Sequence, residues 1–170
     1  MKQAVIIIAK QGFRDEEYKN PKEVLTNNGI KVITASTETG QAIGKLGMET
    51  NVDINLQSLN VAEYDAVIFV GGPGSYNLFD NQEAHKIVKE ALEKNKVLGA
   101  ICAAVGILAT AGILKNKKVT SFSGVADLIK SKGAIYTGRG VEKDGNIITA
   151  DGPQSATLFG EKILRKISTF

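Results

Sequence analysis

Lys96-Val-Leu-Gly-Ala-Ile-Cys102-Ala-Ala-Val-Gly106-Ile-Leu-Ala109 reads as a short apolar strand that turns, at a cysteine, into a helix of small residues. A sulfur at that junction faces the first free backbone N–H groups of the helix and the positive end of its dipole. Both favour thiolate over thiol. The competing reading of Cys102 is the usual fate of a free cysteine, a small buried hydrophobe.

Outward from this elbow the same alternation repeats. Ala4-Val-Ile-Ile-Ile-Ala9 is a continuous apolar run, as expected of a strand buried on both faces. Asn20-Pro-Lys-Glu-Val-Leu-Thr-Asn-Asn-Gly29 carries proline near its start and glycine at its end, which predicts a helix. Residues 30–35 and 66–70 read as further strands, and residues 82–94 as a helix. Beyond the elbow helix come a strand at 118–121, a helix at 125–132 and a strand at 134–136. Val141-Glu-Lys-Asp-Gly-Asn-Ile-Ile-Thr149 reads as a hairpin around Asp144-Gly145. A helix over 154–167 closes the chain, with Ala156, Phe159, Ile163 and Ile167 at spacings of three and four.

Strands alternating with helices imply βαβ units. The expected architecture is α/β: a doubly wound, mostly parallel sheet flanked by helices, a flavodoxin-like or Rossmann-like sandwich. Residues 40–53 break the rhythm and suggest a small antiparallel excursion at one edge. The 170 residues contain no internal repeat, low-complexity tract or linker, so one domain over 1–170 is expected.

Composition narrows the function. The apolar fraction of 43% and charged fraction of 23% are those of an ordinary globular chain. One cysteine excludes an internal disulfide and a cysteine-based zinc cluster, and points to a reducing compartment, the cytoplasm. The first apolar run is too short for a membrane span and lacks the flanks of a signal peptide. The net charge of +3 comes from scattered lysines, densest in Lys115-Asn-Lys-Lys118, with no interleaved aromatics, so neither a nucleic-acid nor a membrane partner is expected. With one histidine and scattered carboxylates no metal is implied, and Ala9-Lys-Gln-Gly12 lacks the dinucleotide glycine spacing, so no cofactor is expected.

In doubly wound sheets, sites form beyond the carboxyl ends of the strands. Four segments end strands here: Lys10-Gln-Gly-Phe-Arg-Asp-Glu-Glu17, Gly71-Gly-Pro-Gly74, Cys102, and Asp151-Gly-Pro153. The glycine turn would let backbone N–H groups face a ligand, as an oxyanion hole requires, although glycine and proline also make plain turns. It is not a phosphate loop, lacking the lysine and hydroxyl at the required spacing. Glu16 and Glu17 belong to a charge run, usually a solvated face; a carboxyl that returned to the sulfur would be protonated by burial and could donate that proton. The spacing does not choose between them. His85 lies among polar helical residues and reads as a surface histidine, which leaves no Cys–His pair within one chain.

Together these segments resemble the ThiJ/PfpI superfamily, which includes PfpI-type intracellular proteases and the Parkinsonism-associated deglycase with its bacterial relatives. The likeness runs through residues 4–9, Gly29-Ile-Lys-Val-Ile-Thr-Ala-Ser36, Val52-Asp53-Ile54, Tyr64-Asp-Ala-Val-Ile-Phe-Val-Gly-Gly72, Gly99-Ala-Ile-Cys-Ala103 and the 141–149 hairpin. The resemblance implies that Cys102 is the reactive cysteine and Glu17, in Phe13-Arg-Asp-Glu-Glu17-Tyr-Lys-Asn-Pro21, the acid. It also implies that Gly71, Gly72 and the amide of Ala103 form the oxyanion hole. Two departures stand out. PfpI-type members have histidine after the cysteine, where this chain has Ala103; the deglycase branch brings histidine from the following strand, where Val119-Thr-Ser-Phe122-Ser puts Phe122.

The expected function is therefore a stress-response protein whose elbow cysteine acts weakly on small reactive carbonyls, of glyoxalase or deglycase type. A redox-sensing thiol or chaperone-like module and a PfpI-type cysteine peptidase or amidase are the alternatives. The resemblance also implies a homodimer or higher homo-oligomer, with room for a base from a neighbouring subunit.

Overall fold

The computed structural model describes residues 1–169. In chain order the first half comprises β1 (Gln3–Ile7), β2 (Gln11–Phe13), α1 (Asp15–Asn27), β3 (Lys31–Ser36), β4 (Gly40–Gly44), β5 (Glu49–Val52), β6 (Ile54–Asn55), β7 (Ala66–Phe69) and α2 (Gln82–Glu93). The second half comprises β8 (Val97–Ile101), α3 (Val105–Thr110), β9 (Lys118–Val119), α4 (Ala126–Ser131), β10 (Ile135–Tyr136), β11 (Val141–Asp144), β12 (Ile147–Ala150) and α5 (Ala156–Ile167). The main sheet runs β11-β12-β8-β7-β1-β3-β6, parallel except for the β11–β12 hairpin. The α/β reading of the sequence holds.

The unbroken apolar strands follow from a sheet covered on both sides, because alternate side chains face opposite layers. Val5 and Ile7 of β1, with Val67, Phe69 and Leu98, pack against α2 and α3. Ala4, Ile6 and Ile68 face the other way, onto Tyr18 and Leu25 of α1 and Phe159, Ile163 and Ile167 of α5. From β1 the sheet grows through β3 in one direction and through β7 and β8 in the other. The strand order reverses there, which opens a crevice at the carboxyl ends of β1, β7 and β8.

The structure departs from the sequence reading at four places. Residues 11–13 form β2, which pairs with β4 and joins the antiparallel β4–β5 hairpin in a small sheet of its own. β9 stops at Val119 and pairs only with β10. His85 is half-buried rather than exposed: its Nε2 donates to the Phe79 carbonyl at 2.6 Å and lies 3.1 Å from Thr110 Oγ1.

The fourth departure bears on function. The first helix begins at Asp15, not at Asn20, so Pro21 lies inside it. Asp15, Glu16 and Glu17 occupy the first turn, where acids complement the positive helix end. The N–H that Pro21 lacks would have met the Glu17 carbonyl. Pro21 is buried where α5 crosses α1: a Cβ on Gly160 would sit 2.8 Å from the Pro21 Cα. Gly160→Ala should therefore lower stability by about 1–3 kcal/mol in urea unfolding; a loss under about 0.5 kcal/mol would mean that the helices separate freely.

Candidate active site

β8 ends in extended conformation at Ile101, and the chain reverses at Cys102, whose φ of 60° is left-handed. A non-glycine residue held there costs about 1–3 kcal/mol, recovered from surrounding packing. Small buried residues, Ala103 and Ala104, form the tight turn behind it before α3 begins. Cys102 is half-buried, and its carbonyl accepts from the Phe122 amide at 3.2 Å.

Glu17 does not belong to a solvated face; it is fully buried. Its Oε1 accepts the Gly71 amide at 3.0 Å, whereas Oε2 is buried without a hydrogen-bond partner among the described residues. Burial raises the Glu17 carboxyl from 4.5 to about 7. Glu16 turns away and takes the Arg14 guanidinium, Nη2 to Oε2 at 2.9 Å. The choice between the two acids, open in the sequence, is thus made by geometry.

Three contacts hold the first turn of α1 in place. Asp15 accepts the Leu46 and Met48 amides of the β4–β5 turn at 3.1 and 2.9 Å. The Tyr18 hydroxyl lies 2.6 Å from Thr34 Oγ1 and 3.1 Å from Thr50 Oγ1. The Arg14 amide donates to the Gly71 carbonyl at 2.9 Å. Glycines permit this approach: a Cβ at Gly72 would collide with the Arg14 amide, and one at Gly74 with the Gln11 carbonyl. The turn therefore meets another stretch of backbone as well as the cavity.

Gly71 is where the acid and the cysteine meet the glycine turn. A Cβ there would lie 2.6 Å from Glu17 Oε1 and 2.9 Å from Cys102 Cβ. Its amide is consumed by Glu17, which corrects its assignment to the oxyanion hole. The amides of Gly72 and Ala103 are the ones that reach the sulfur.

Those amides favour the thiolate, but they do not dominate as the elbow suggested. Burial pushes the Cys102 thiol from 9.0 up to about 12, and a charged Glu17 adds to the rise. The elbow opens with a 3-10 turn and α3 has only 6 residues, so the helix field is small. A proton on Glu17 removes the charge facing the sulfur. The two groups titrate as a pair.

Beside them opens a cavity of about 470 Å³, lined by Arg14, Glu17, Tyr76, Cys102, Phe122 and Asp151 among others. His85 is not among its walls. Arg14 and Tyr76 were not singled out from the sequence. Arg14 stood inside a charge run, and Tyr76 follows a turn whose direction only the packing against β2 sets.

The Glu17 carboxyl gives stability a pH dependence whose sign is fixed. Its pKa is raised on folding, from 4.5 to about 7, so the folded state binds the extra proton between those values. The stabilisation is complete below 4.5 and is lost as pH rises through about 7. Glu17→Gln should remove that loss, so that its stability relative to the parent improves by about 3 kcal/mol between pH 5 and pH 8 in urea unfolding. A pH-independent difference would contradict the raised carboxyl.

The chain is similar to several known proteins. A Methanocaldococcus jannaschii protein of uncharacterized function is 43% identical over 166 residues, 96% of this chain and 81% of its own length. A protein named as a deglycase in Thermococcus kodakarensis is 33% identical over 149 residues, 88% of this chain and 90% of its own. The crystal structure of a ThiJ/PfpI domain protein from Brachyspira murdochii superposes with a TM-score of 0.97 at 33% identity, covering 99% of this chain and 97% of that one. The model of the DJ-1/PfpI family matches residues 2–166, and the chain belongs to that family.

Proposed function

We propose that the protein is a slow thiol enzyme acting on small reactive carbonyls such as methylglyoxal, of glyoxalase or deglycase type. The observation that carries this reading is the buried Glu17 carboxyl, joined through Gly71 to the elbow cysteine at the wall of one cavity. Deglycase-named relatives support it.

The Cys102 thiolate adds to the aldehyde carbon, forming a C–S bond while the C=O π pair moves to oxygen. That oxygen takes the Glu17 proton and gives a hemithioacetal. The resulting Glu17 carboxylate removes the proton from the former aldehyde carbon, the electron pair moving onto the adjacent carbonyl oxygen to give an enediolate. Glu17 then returns the proton to the adjacent carbon while the hydroxyl proton passes from the first oxygen to the second. The product is a lactoyl thioester, which water hydrolyses to lactate and free Cys102. A carboxyl near pH 7 serves in both directions, since acid and base forms are then both populated. No imidazole lines the cavity among the described residues. General acid–base catalysis contributes about 10²–10⁴-fold, so one missing partner leaves a slow enzyme.

A second reading has an observation of its own. Glu17 Oε2 is buried without an N–H or O–H donor among the described residues, and the carboxyl and the Cys102 thiol interact directly. A protonated carboxyl there would donate to an oxygen added to the sulfur. Thiolate attack on a peroxide would give sulfenic acid, the displaced oxygen leaving as water once protonated.

Two measurements test these readings. Cys102→Ala should abolish methylglyoxal consumption; consumption at the parent rate would overturn the thiol mechanism. After mild peroxide treatment, intact-mass spectrometry should find added oxygen at Cys102 in the parent and much less in Glu17→Leu. Unmodified Cys102 in the parent would remove the redox reading.

A further inference from the structure

The cavity holds a cation that the proposed chemistry has not used. We propose that Arg14 supplies the positive charge which a histidine would otherwise bring to this site, steadying the Cys102 thiolate and the oxyanion formed from substrate, with Glu16 as the residue that positions it. The inference rests on the carbonyl reading for the oxyanion, and on Cys102 alone for the thiolate.

The placement of Arg14 is built from both ends. Its backbone is fixed between β2 and α1, where its amide donates to the Gly71 carbonyl at 2.9 Å and the bare Cα of Gly72 packs against it. Its guanidinium is held by Glu16, which accepts from Nε at 3.1 Å and from Nη2 at 2.9 Å. This clamp occupies one edge of the planar group. Nη1 has no hydrogen-bond partner among the described residues, which leaves donors for an anion in the cavity that Arg14 lines.

The other charged or titratable groups on the cavity wall are Glu17, Lys45, Tyr76, Cys102 and Asp151. Glu17 and Asp151 can only add negative charge, and Asp151 is occupied by the Ser155 hydroxyl at 2.6 Å. Lys45 is a cation on an exposed residue whose side chain has no hydrogen bond or ion pair among the described residues. Arg14 is therefore the one cation of this wall held in a fixed orientation, as preorganised charge stabilisation requires. Its electrostatics agree: the bond to Glu16 raises the Arg14 guanidinium most, negative charge on Glu17 and Cys102 adds to the rise, and Arg14 in turn offsets part of the upward push of burial on Glu17.

The substitution has a chemical consequence. An imidazolium can give up its proton and then act as a base, whereas a guanidinium keeps its proton throughout the working range. Arg14 can supply field but no proton transfer, which leaves the proton steps of the proposed chemistry to Glu17. Glu16, adjacent in sequence to the acid, holds Arg14 and also faces Glu17 with its negative charge.

The test is the rate of Cys102 alkylation by iodoacetamide, a neutral probe, across pH in the full chain. Arg14→Met should slow the reaction at pH 7 about three- to tenfold and move its midpoint to higher pH. Arg14→Lys should restore most of the rate, because it keeps the charge, and Glu16→Gln should fall between parent and Arg14→Met. Equal rates and midpoints in Arg14→Met and the parent would overturn the proposal. If Arg14→Met does not fold, Arg14→Gln takes its place: a parental profile overturns the proposal and a slowed one supports it. Failure of the parent to consume methylglyoxal would count against the carbonyl reading while leaving the alkylation result to judge Arg14.

Discussion

The hydrogen bond from the Gly71 amide to Glu17 Oε1 is the constraint on which the site depends. It joins the end of β7 to the first turn of α1, at a point where even a methyl group would strike both the carboxyl and the cysteine. The rest of the crevice is arranged to bring these backbones together. β2 lies along the glycine turn, Asp15 grips the β4–β5 turn, and Tyr18 reaches the hydroxyls of β3 and β5. The small antiparallel excursion is thus a brace for the acid.

The energetic signs at the site oppose one another. Burial disfavours charge on Glu17 and on Cys102 alike, while the Gly72 and Ala103 amides and the Arg14 guanidinium favour it. The left-handed backbone of Cys102 adds strain that the packed sheet beneath it must absorb. The carboxyl and the thiol titrate as a pair, with fixed amide dipoles on one side and the cavity on the other.

The architecture was readable because the apolar runs are long, unbroken and regularly interleaved with amphipathic segments, so sheet and layers follow from period alone. The elbow at Cys102 and the closing helix through Phe159 and Ile163 were readable for the same reason. What resisted reading depends on long-range contact. Nothing local distinguishes Glu17 from Glu16; the pairing of β2 with β4 and the approach of Gly71 do. Pro21 looked like a helix start because its usual position is there, yet contact with Gly160 and the acids before it extend the helix backward. The Gly71 amide was assigned to substrate because the sequence does not show that a carboxylate arrives first. His85 seemed exposed among polar neighbours until the Phe79 carbonyl came round to meet it.

The central claim is that Glu17 is a carboxyl held protonated toward neutral pH by its burial beside Cys102. Its side chain can be followed directly by carbon-13 NMR of the carboxyl across pH in the folded protein, with Glu17→Gln to assign the resonance. The account predicts a titration centred at about 7, far above the ordinary 4.5. A midpoint in the ordinary glutamate range, near about 4.3, would contradict it.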